Sequence, residues 1–210
     1  MDMFRVEEPP PRPVRRGSRD DSVEEADAIL MARVATADRS AMHMLFSRHH
    51  LAVYRFVLQQ VQDRTLAEDV TSEVFLDVWR HAGRFEGRSA VLTWILAIAR
   101  HKTFAARAHR RLRFDPDAAA GGQDAGGLNE GDLDASLQAR DRHTALRMCM
   151  TRLSAEHREV IDLVYYQEQS MESVAAILGI PRSTAKTRVF NARKRLADEL
   201  KKSGVDWVAM

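Results

Sequence analysis

Apolar positions recur at helical spacing along most of this chain, and the pattern is sharpest near the C-terminus. In residues 170–196 (SMESVAAILGIPRSTAKTRVFNARKRL), Ala185, Val189, Ala192 and Leu196 follow one another at steps of four, three and four. At 100° per residue they form one stripe, and Ser183, Thr187, Asn191 and Lys194 fall opposite, flanked by Lys186 and Arg188. Gly179 permits the positive φ that ends a preceding helix, and Pro181 favours a fresh helical start. Two short helices around a tight turn, the second with a core side and a cationic polar side, predict a helix-turn-helix, and DNA is the first partner it suggests.

The same periodicity predicts helices near residues 24–35, 38–62, 65–82 and 90–112, with Gly83 and Gly87 marking a loop before the last. After a break come helices near 138–152, 155–167, 171–178 and 182–201. No segment alternates convincingly with a period of two, so the fold class is all-α, with two small helical domains. Residues 1–22 are rich in Pro, Arg and Asp without periodicity and read as a disordered tail. Residues 114–137 are dominated by Asp, Ala and Gly and read as a flexible acidic linker. The domains expected are therefore 23–113 and 138–210.

Charge sharpens this picture. The net charge is only +2, yet residues 100–113 hold six Lys or Arg and no acid, and residues 182–202 hold eight against Asp198 and Glu199. Two separate basic blocks suggest two contacts with a polyanion. The single cysteine, Cys149, excludes a disulfide within the chain, and its spacing from Leu146 and Leu153 makes it a buried, inert thiol. With neither a signal-peptide-length apolar run nor the ~20 apolar residues of a membrane span, a cytoplasmic location is expected.

Two further segments carry chemistry. Residues 66–79 (LAEDVTSEVFLDVW) place Val70, Val74 and Val78 toward a core and Glu68, Asp69, Glu73 and Asp77 elsewhere, with Phe75 and Trp79 one turn apart. Such a helix is either an ordinary surface helix with its aromatics in the core or a protein-binding face of acids around an aromatic anchor. Residues 85–111 contain Thr93 and Trp94 in an apolar helix that turns basic at Arg100, Lys102, Arg107, Arg110 and Arg111, a combination suited to single-stranded DNA. No nucleophile–base–orienter set, no phosphate loop and no Cys/His spacing of a zinc site is present, His43, His49 and His50 included.

In order and content these segments resemble an extracytoplasmic-function (ECF) sigma factor of the bacterial sigma-70 superfamily. Residues 66–79 are similar to the family's region 2.2, which docks on the coiled coil of the polymerase β′ subunit. Residues 85–89 (FEGRS) and 93–100 (TWILAIAR) resemble regions 2.3 and 2.4, which melt and read the minus-ten element. Residues 165–188 (YYQEQSMESVAAILGIPRSTAKTR) resemble region 4.2, which reads the minus-thirty-five element. The family often has Asn after its Ile-Ala-Arg triplet, Asp four residues later and an aromatic before Thr-Trp. Here those positions hold His101, Ala105 and Val91.

The resemblance implies a transcription initiation factor, not an enzyme, with core RNA polymerase (β′ coiled coil and β flap), promoter DNA and an anti-sigma factor as partners. It implies no cofactor, no metal and no small-molecule substrate. Carried over residue by residue, it places core-polymerase binding on Glu68, Asp69, Glu73, Phe75 and Trp79. Minus-ten contacts fall on Arg88, Ser89, Trp94, Arg100, His101, Lys102, Arg107 and Arg110. Minus-thirty-five contacts fall on Arg182, Ser183, Thr184, Lys186, Thr187, Arg188, Asn191, Arg193 and Lys194. A stand-alone helix-turn-helix regulator, or an enzyme with a DNA-targeting tail, is the alternative that the residues alone leave open.

A 24-residue coil averages about 25–30 Å end to end and reaches roughly 80 Å when extended. Promoter elements more than one ~34–36 Å helical turn apart therefore require stretching. A free protein that is compact or variable in its domain arrangement follows.

Overall fold

A computed structural model describes residues 19–113 and 137–203. Every element among these residues is helical. In order they are α1 (Arg19–Ala35), α2 (Arg39–Val61), α3 (Arg64–His81), a 3₁₀ turn at Ala82–Arg84, α4 (Val91–Arg113), α5 (Leu137–Arg152), α6 (Ala155–Ile161), α7 (Met171–Leu178) and α8 (Arg182–Lys202). Helix α6 runs on into a π turn, Asp162–Tyr166. Each expected helix is present, and α1 begins at Arg19, inside the stretch read as a tail. Residues 1–18 and 114–136, expected to be tail and linker, lie outside the described residues.

Local chemistry explains the boundaries. Asp38 caps α2 by accepting from the backbone N–H groups of Ser40 and Ala41, and Asp63 caps α3 through Leu66. Ser154 and Ser170 do the same for α6 and α7. Each such cap satisfies N–H groups that the helix leaves unpaired, a contribution of about 1 kcal/mol. Gly179 ends α7 at φ +64°, the left-handed conformation that glycine adopts without Cβ strain, and Pro181 stands at the start of α8.

Helices α1 to α4 pack around Leu30, Met31, Leu45, Val53, Phe56, Val57, Val74, Val78, Ile95 and Leu96. One buried carboxylate holds α1 onto α2: Arg48 Nη1 donates to Asp27 Oδ1 at 2.6 Å and His49 Nε2 to Asp27 Oδ2 at 2.7 Å. Burial pushes the Asp27 carboxyl up, but the hydrogen bonds from His49 and Arg48, with their charge, leave it below the ordinary value. The second unit packs α5, α6, α7 and α8 around Leu153, Val160, Leu163, Val174, Ile177, Leu178, Ala185 and Ala192. Cys149 is buried here, as its spacing predicts, with Sγ 3.2 Å from Ser203 Oγ.

The two units touch. Helix α7 lies against α4, and α6 against α2. Among the described residues, hydrogen bonds that cross the seam include Thr93 Oγ1 to Gln169 Oε1 at 2.9 Å, Arg100 Nε to Glu159 Oε1 at 2.8 Å, Gln167 Nε2 to the Ala52 carbonyl at 3.2 Å, and Arg158 Nη1 to the Gln59 carbonyl at 3.5 Å. The linker argument left the arrangement of the units compact or variable; the described residues of the two units are in contact.

Candidate nucleic-acid and polymerase interface

Of the three groups of residues singled out in the sequence, the one on α8 forms a surface of its own, while those on α3 and α4 meet where Lys102 reaches Glu73. On α8 the apolar stripe turns inward, with Ala185 and Ala192 fully buried and Val189 and Leu196 partly so. The opposite side stands in solvent: Arg182, Ser183, Thr184, Lys186, Thr187, Asn191, Arg193 and Lys194 are all exposed. Arg182 pairs with Glu172 of α7 at 2.7 Å, bridging the two helices of the motif, and Thr187 Oγ1 donates back to the Ser183 carbonyl. Arg188 differs from the rest. It sits at the border of the stripe, only 22% exposed at the side chain and 3.6 Å from Glu156 of α6.

Phe190 is a residue that the sequence reading missed. It is 68% exposed, in the middle of α8, four residues from both Lys186 and Lys194, and thus on the same outward stripe. An aromatic ring held in water among cations fits the apolar contact that a thymine methyl offers in a major groove. The signal was available, because at 100° per residue Phe190 lies about 130° from the mean direction of Ala185, Val189, Ala192 and Leu196.

On α4 the N-terminal half is largely buried and the C-terminal half is not. Trp94 is half-buried and meets Phe85 edge-on at 5.7 Å, closing the loop that runs through Gly87, whose φ is +69°. Arg88 and Ser89 lie on that loop, Arg88 paired with Glu86 at 2.6 Å. The basic residues mostly hold acids of their own chain. Lys102 bridges Asp77 at 3.0 Å and Glu73 at 3.4 Å, Arg110 pairs with Asp63 at 3.0 Å, and Arg100 pairs with Glu159. Asp77, then burial working against it, then Glu73 set the Lys102 ammonium, whose pKa is raised on balance. Glu159 goes the other way: burial pushes its carboxyl up despite Arg100. His101 is exposed, and Arg107 lies half-buried beside Arg158.

On α3 the acids stay exposed, while Phe75, carried over as an anchoring aromatic, takes the core place of an ordinary amphipathic helix. Glu68, Asp69 and Glu73 are exposed. Phe75 is only 4% exposed, and its ring packs edge-on against Phe46 at 4.8 Å instead of projecting outward. Its neighbour Val74 belongs to the core stripe, and a residue 100° further round still falls between α3 and α2. Trp79 is half-buried. The apolar group that does project among the acids is Leu76, 44% exposed, joined across the helix pair by Phe46, which is 40% exposed and stacks on His50 at 4.9 Å.

Comparison with known proteins attaches this arrangement to a family. The chain matches the family description "Sigma-70 region 2" over residues 45–113 and "Sigma-70, region 4" over residues 149–198. It is 31% identical over 180 residues to the ECF RNA polymerase sigma factor SigL of Mycobacterium tuberculosis, an alignment that takes in 83% of this chain and 99% of that one. The chain belongs to the ECF RNA polymerase sigma factors. The RNA polymerase sigma factor CarQ of Myxococcus xanthus is similar at 29% identity over 170 residues, 81% of this sigma factor and 95% of CarQ. Among solved structures, RpoE from Bartonella quintana, crystallised with the anti-sigma factor NepR, shares the fold with a TM-score of 0.61 and 28% identity, over 76% of this chain and 96% of that one. CnrH, solved with the cytosolic domain of CnrY, shares the fold with a TM-score of 0.62 at 22% identity, over 84% and 98% of the two chains. Helices α2 to α4 thus form the region 2 unit of this sigma factor, and α6 to α8 its region 4 unit. Among the described residues no helix is long and apolar enough to cross a membrane.

Proposed function

We propose that this sigma factor confers promoter choice on core RNA polymerase in the cytoplasm through three surfaces, without a reaction of its own. Residues 23–113 are the unit that binds core enzyme and the minus-ten element, residues 138–210 the unit for the minus-thirty-five element and the β flap, and residues 114–137 the tether. The β′ coiled coil meets the outer face of α3 at Glu68, Asp69 and Glu73, with Leu76, Phe46 and the exposed edge of Trp79 as the apolar contact; Phe75 supports this face from beneath. The loop with Arg88 and Ser89, Trp94, and the basic run of Arg100, His101, Lys102, Arg107 and Arg110 take the minus-ten region. The outward stripe of α8 enters the major groove, with Arg182, Ser183, Thr184, Lys186, Thr187 and Phe190 toward bases and Arg188, Asn191, Arg193 and Lys194 toward phosphates.

The observation that carries this reading is the solvent-facing side of α8, with its cationic and polar side chains, opposed to an inward stripe whose Ala185 and Ala192 are fully buried. An anti-sigma partner is supported by the similar Bartonella quintana sigma factor, which was captured with one. The test is transcription in vitro by core polymerase with and without the protein, the transcripts sequenced. Initiation from a discrete set of start sites, each preceded by shared minus-ten and minus-thirty-five sequences, is expected; identical transcripts in both reactions would refute it.

A further inference from the structure

A cavity of about 300 Å³ opens between α4 and α6, at the lower end of the range for small-ligand sites, roughly 300–1,000 Å³. Arg100, Phe104, Arg107 and Ala108 of α4 line one wall, Glu156 and Glu159 of α6 the other, and Gln60 of α2, only 7% exposed, closes it from beneath. Gln60 Nε2 has no hydrogen-bond partner, a cost to the fold that an acceptor in the cavity removes. Arg107 is half-buried, makes no ion pair among the described residues, and acts on Glu159 only at longer range. Arg158, beside it, gives its guanidinium to the carbonyls of Met150, Thr151, Leu153 and Gln59, so its charge meets no acid there. Burial and then the Arg107 charge push the Arg158 pKa down. Both carboxylates are already engaged, Glu159 by Arg100 at 2.8 Å and Glu156 by Arg188 at 3.6 Å. Four guanidinium groups thus stand around two carboxylates, which leaves the hollow positive. At its mouth the Phe104 ring is 75% exposed, one helical turn from Ala108.

We propose that this cavity is a binding site for a purine nucleoside monophosphate. The phosphate takes Arg107 and the Gln60 amide, the two donors on the wall that lack an acceptor. The base lies on the Phe104 ring, to which a purine offers the larger face. Glu156, engaged by Arg188 only through Oε2, accepts from a ribose hydroxyl with its other oxygen, as acids do in dinucleotide sites. Simpler ligands use less of the site: inorganic phosphate leaves the Phe104 ring in water, and an apolar molecule leaves Arg107 and Gln60 unmet. Arg107 is also assigned to the minus-ten backbone, so nucleotide and promoter DNA compete for it; that competition, unlike the site, rests on the promoter reading.

Isothermal titration calorimetry on the full-length protein, with no DNA present, tests the site by itself. The probes are adenosine and guanosine monophosphate, ribose 5-phosphate, adenosine and inorganic phosphate. Both nucleotides are expected to bind at least about tenfold more tightly than any of the other three. Phe104→Ala should weaken the nucleotides about fivefold or more and leave ribose 5-phosphate unchanged, since only the base uses the ring. Gln60→Met, which keeps the bulk and removes the amide, should weaken every phosphate compound about tenfold. Ala108→Trp fills the mouth from an exposed position and should abolish binding. If Gln60→Met loses helicity by circular dichroism, Phe104→Ala and Ala108→Trp, both at exposed positions, decide the matter. Absence of binding by either nucleotide would overturn the proposal. So would nucleotides and inorganic phosphate that bind alike, and as well to Ala108→Trp as to the parent, which is the behaviour of an open cationic face. Promoter binding by holoenzyme at saturating nucleotide reads the competition separately: an undiminished signal would remove Arg107 from the shared role and leave the site to calorimetry.

Discussion

Asp162 offers the clearest quantitative handle on the region 4 unit. It sits in the π turn after α6, 1% exposed, with Oδ2 lacking any hydrogen-bond partner. Burial, partly offset by a hydrogen bond from Gln167 and reinforced by the neighbouring Glu159 charge, pushes its carboxyl from 3.8 up to about 7. At ~1.36 kcal/mol per pH unit, that displacement amounts to at most about 4 kcal/mol. The sign follows from which state holds the proton. Between about pH 4 and pH 7 the folded protein keeps the Asp162 proton while the unfolded chain has released it, so stability falls as pH rises through that window and is flat above it. Asp162→Asn keeps the shape and cannot ionise. It gives back part of the gain, because a buried amide with an unmet donor costs about 1–3 kcal/mol. The variant should therefore be more stable than the parent by about 1–3 kcal/mol at pH 8 and equal or weaker at pH 4.5. Urea unfolding followed by far-ultraviolet circular dichroism at both pH values measures this, and the double difference cancels groups common to both proteins. A parental loss of stability between pH 4.5 and pH 8 that persists undiminished in Asp162→Asn would refute the reasoning.

The remaining predictions concern binding. Glu73→Lys should weaken capture of core polymerase at least tenfold by surface plasmon resonance while leaving helicity intact, because Lys102 retains Asp77 as a partner at 3.0 Å. Lys186→Ala should alter the preferred minus-thirty-five sequence in a promoter library, whereas Lys194→Ala should lower use of all sequences alike, since a base contact discriminates by about 1–3 kcal/mol and a phosphate contact does not. Phe190→Ala should selectively relax preference at a thymine, read from the same library. Neutralising Lys102 and Arg107 together should flatten the salt dependence of open-complex formation by between one and two counterions, and an unchanged slope in a filter-binding titration would remove both from the backbone.

Much of this was legible because helical periodicity is a local property. The stripe of Ala185, Val189, Ala192 and Leu196 needed only spacing to be placed, and Gly179 and Pro181 needed only their own backbone preferences. What spacing cannot show is which neighbour a polar residue meets. Glu159 is an unremarkable acid in the sequence, and only the packing of α6 on α2 and of α7 on α4 brings it to Arg100, 59 positions away. Asp27 and His49 were likewise silent, since a carboxylate and an imidazole 22 residues apart carry no motif. Phe75 was misread for a related reason: acids on either side suggested an exposed face, but a helix wedged between two others buries a wider arc than one resting on a flat core.

The Asp27 clasp has a mechanical side. Arg48 and His49 are adjacent on α2 and so leave the helix axis in directions about 100° apart, yet one carboxylate holds both, an oxygen to each. A single bond would fix only how far α1 stands from α2 and would let α2 roll about its long axis. Two anchors at different azimuths act as a key in a slot and index that roll. The azimuth of α2 aims Phe46 and His50 at one angle and presents the carbonyls of Ala52 and Gln59 at another. Lengthening the key by one methylene, Asp27→Glu, would keep every charge and still turn the shaft.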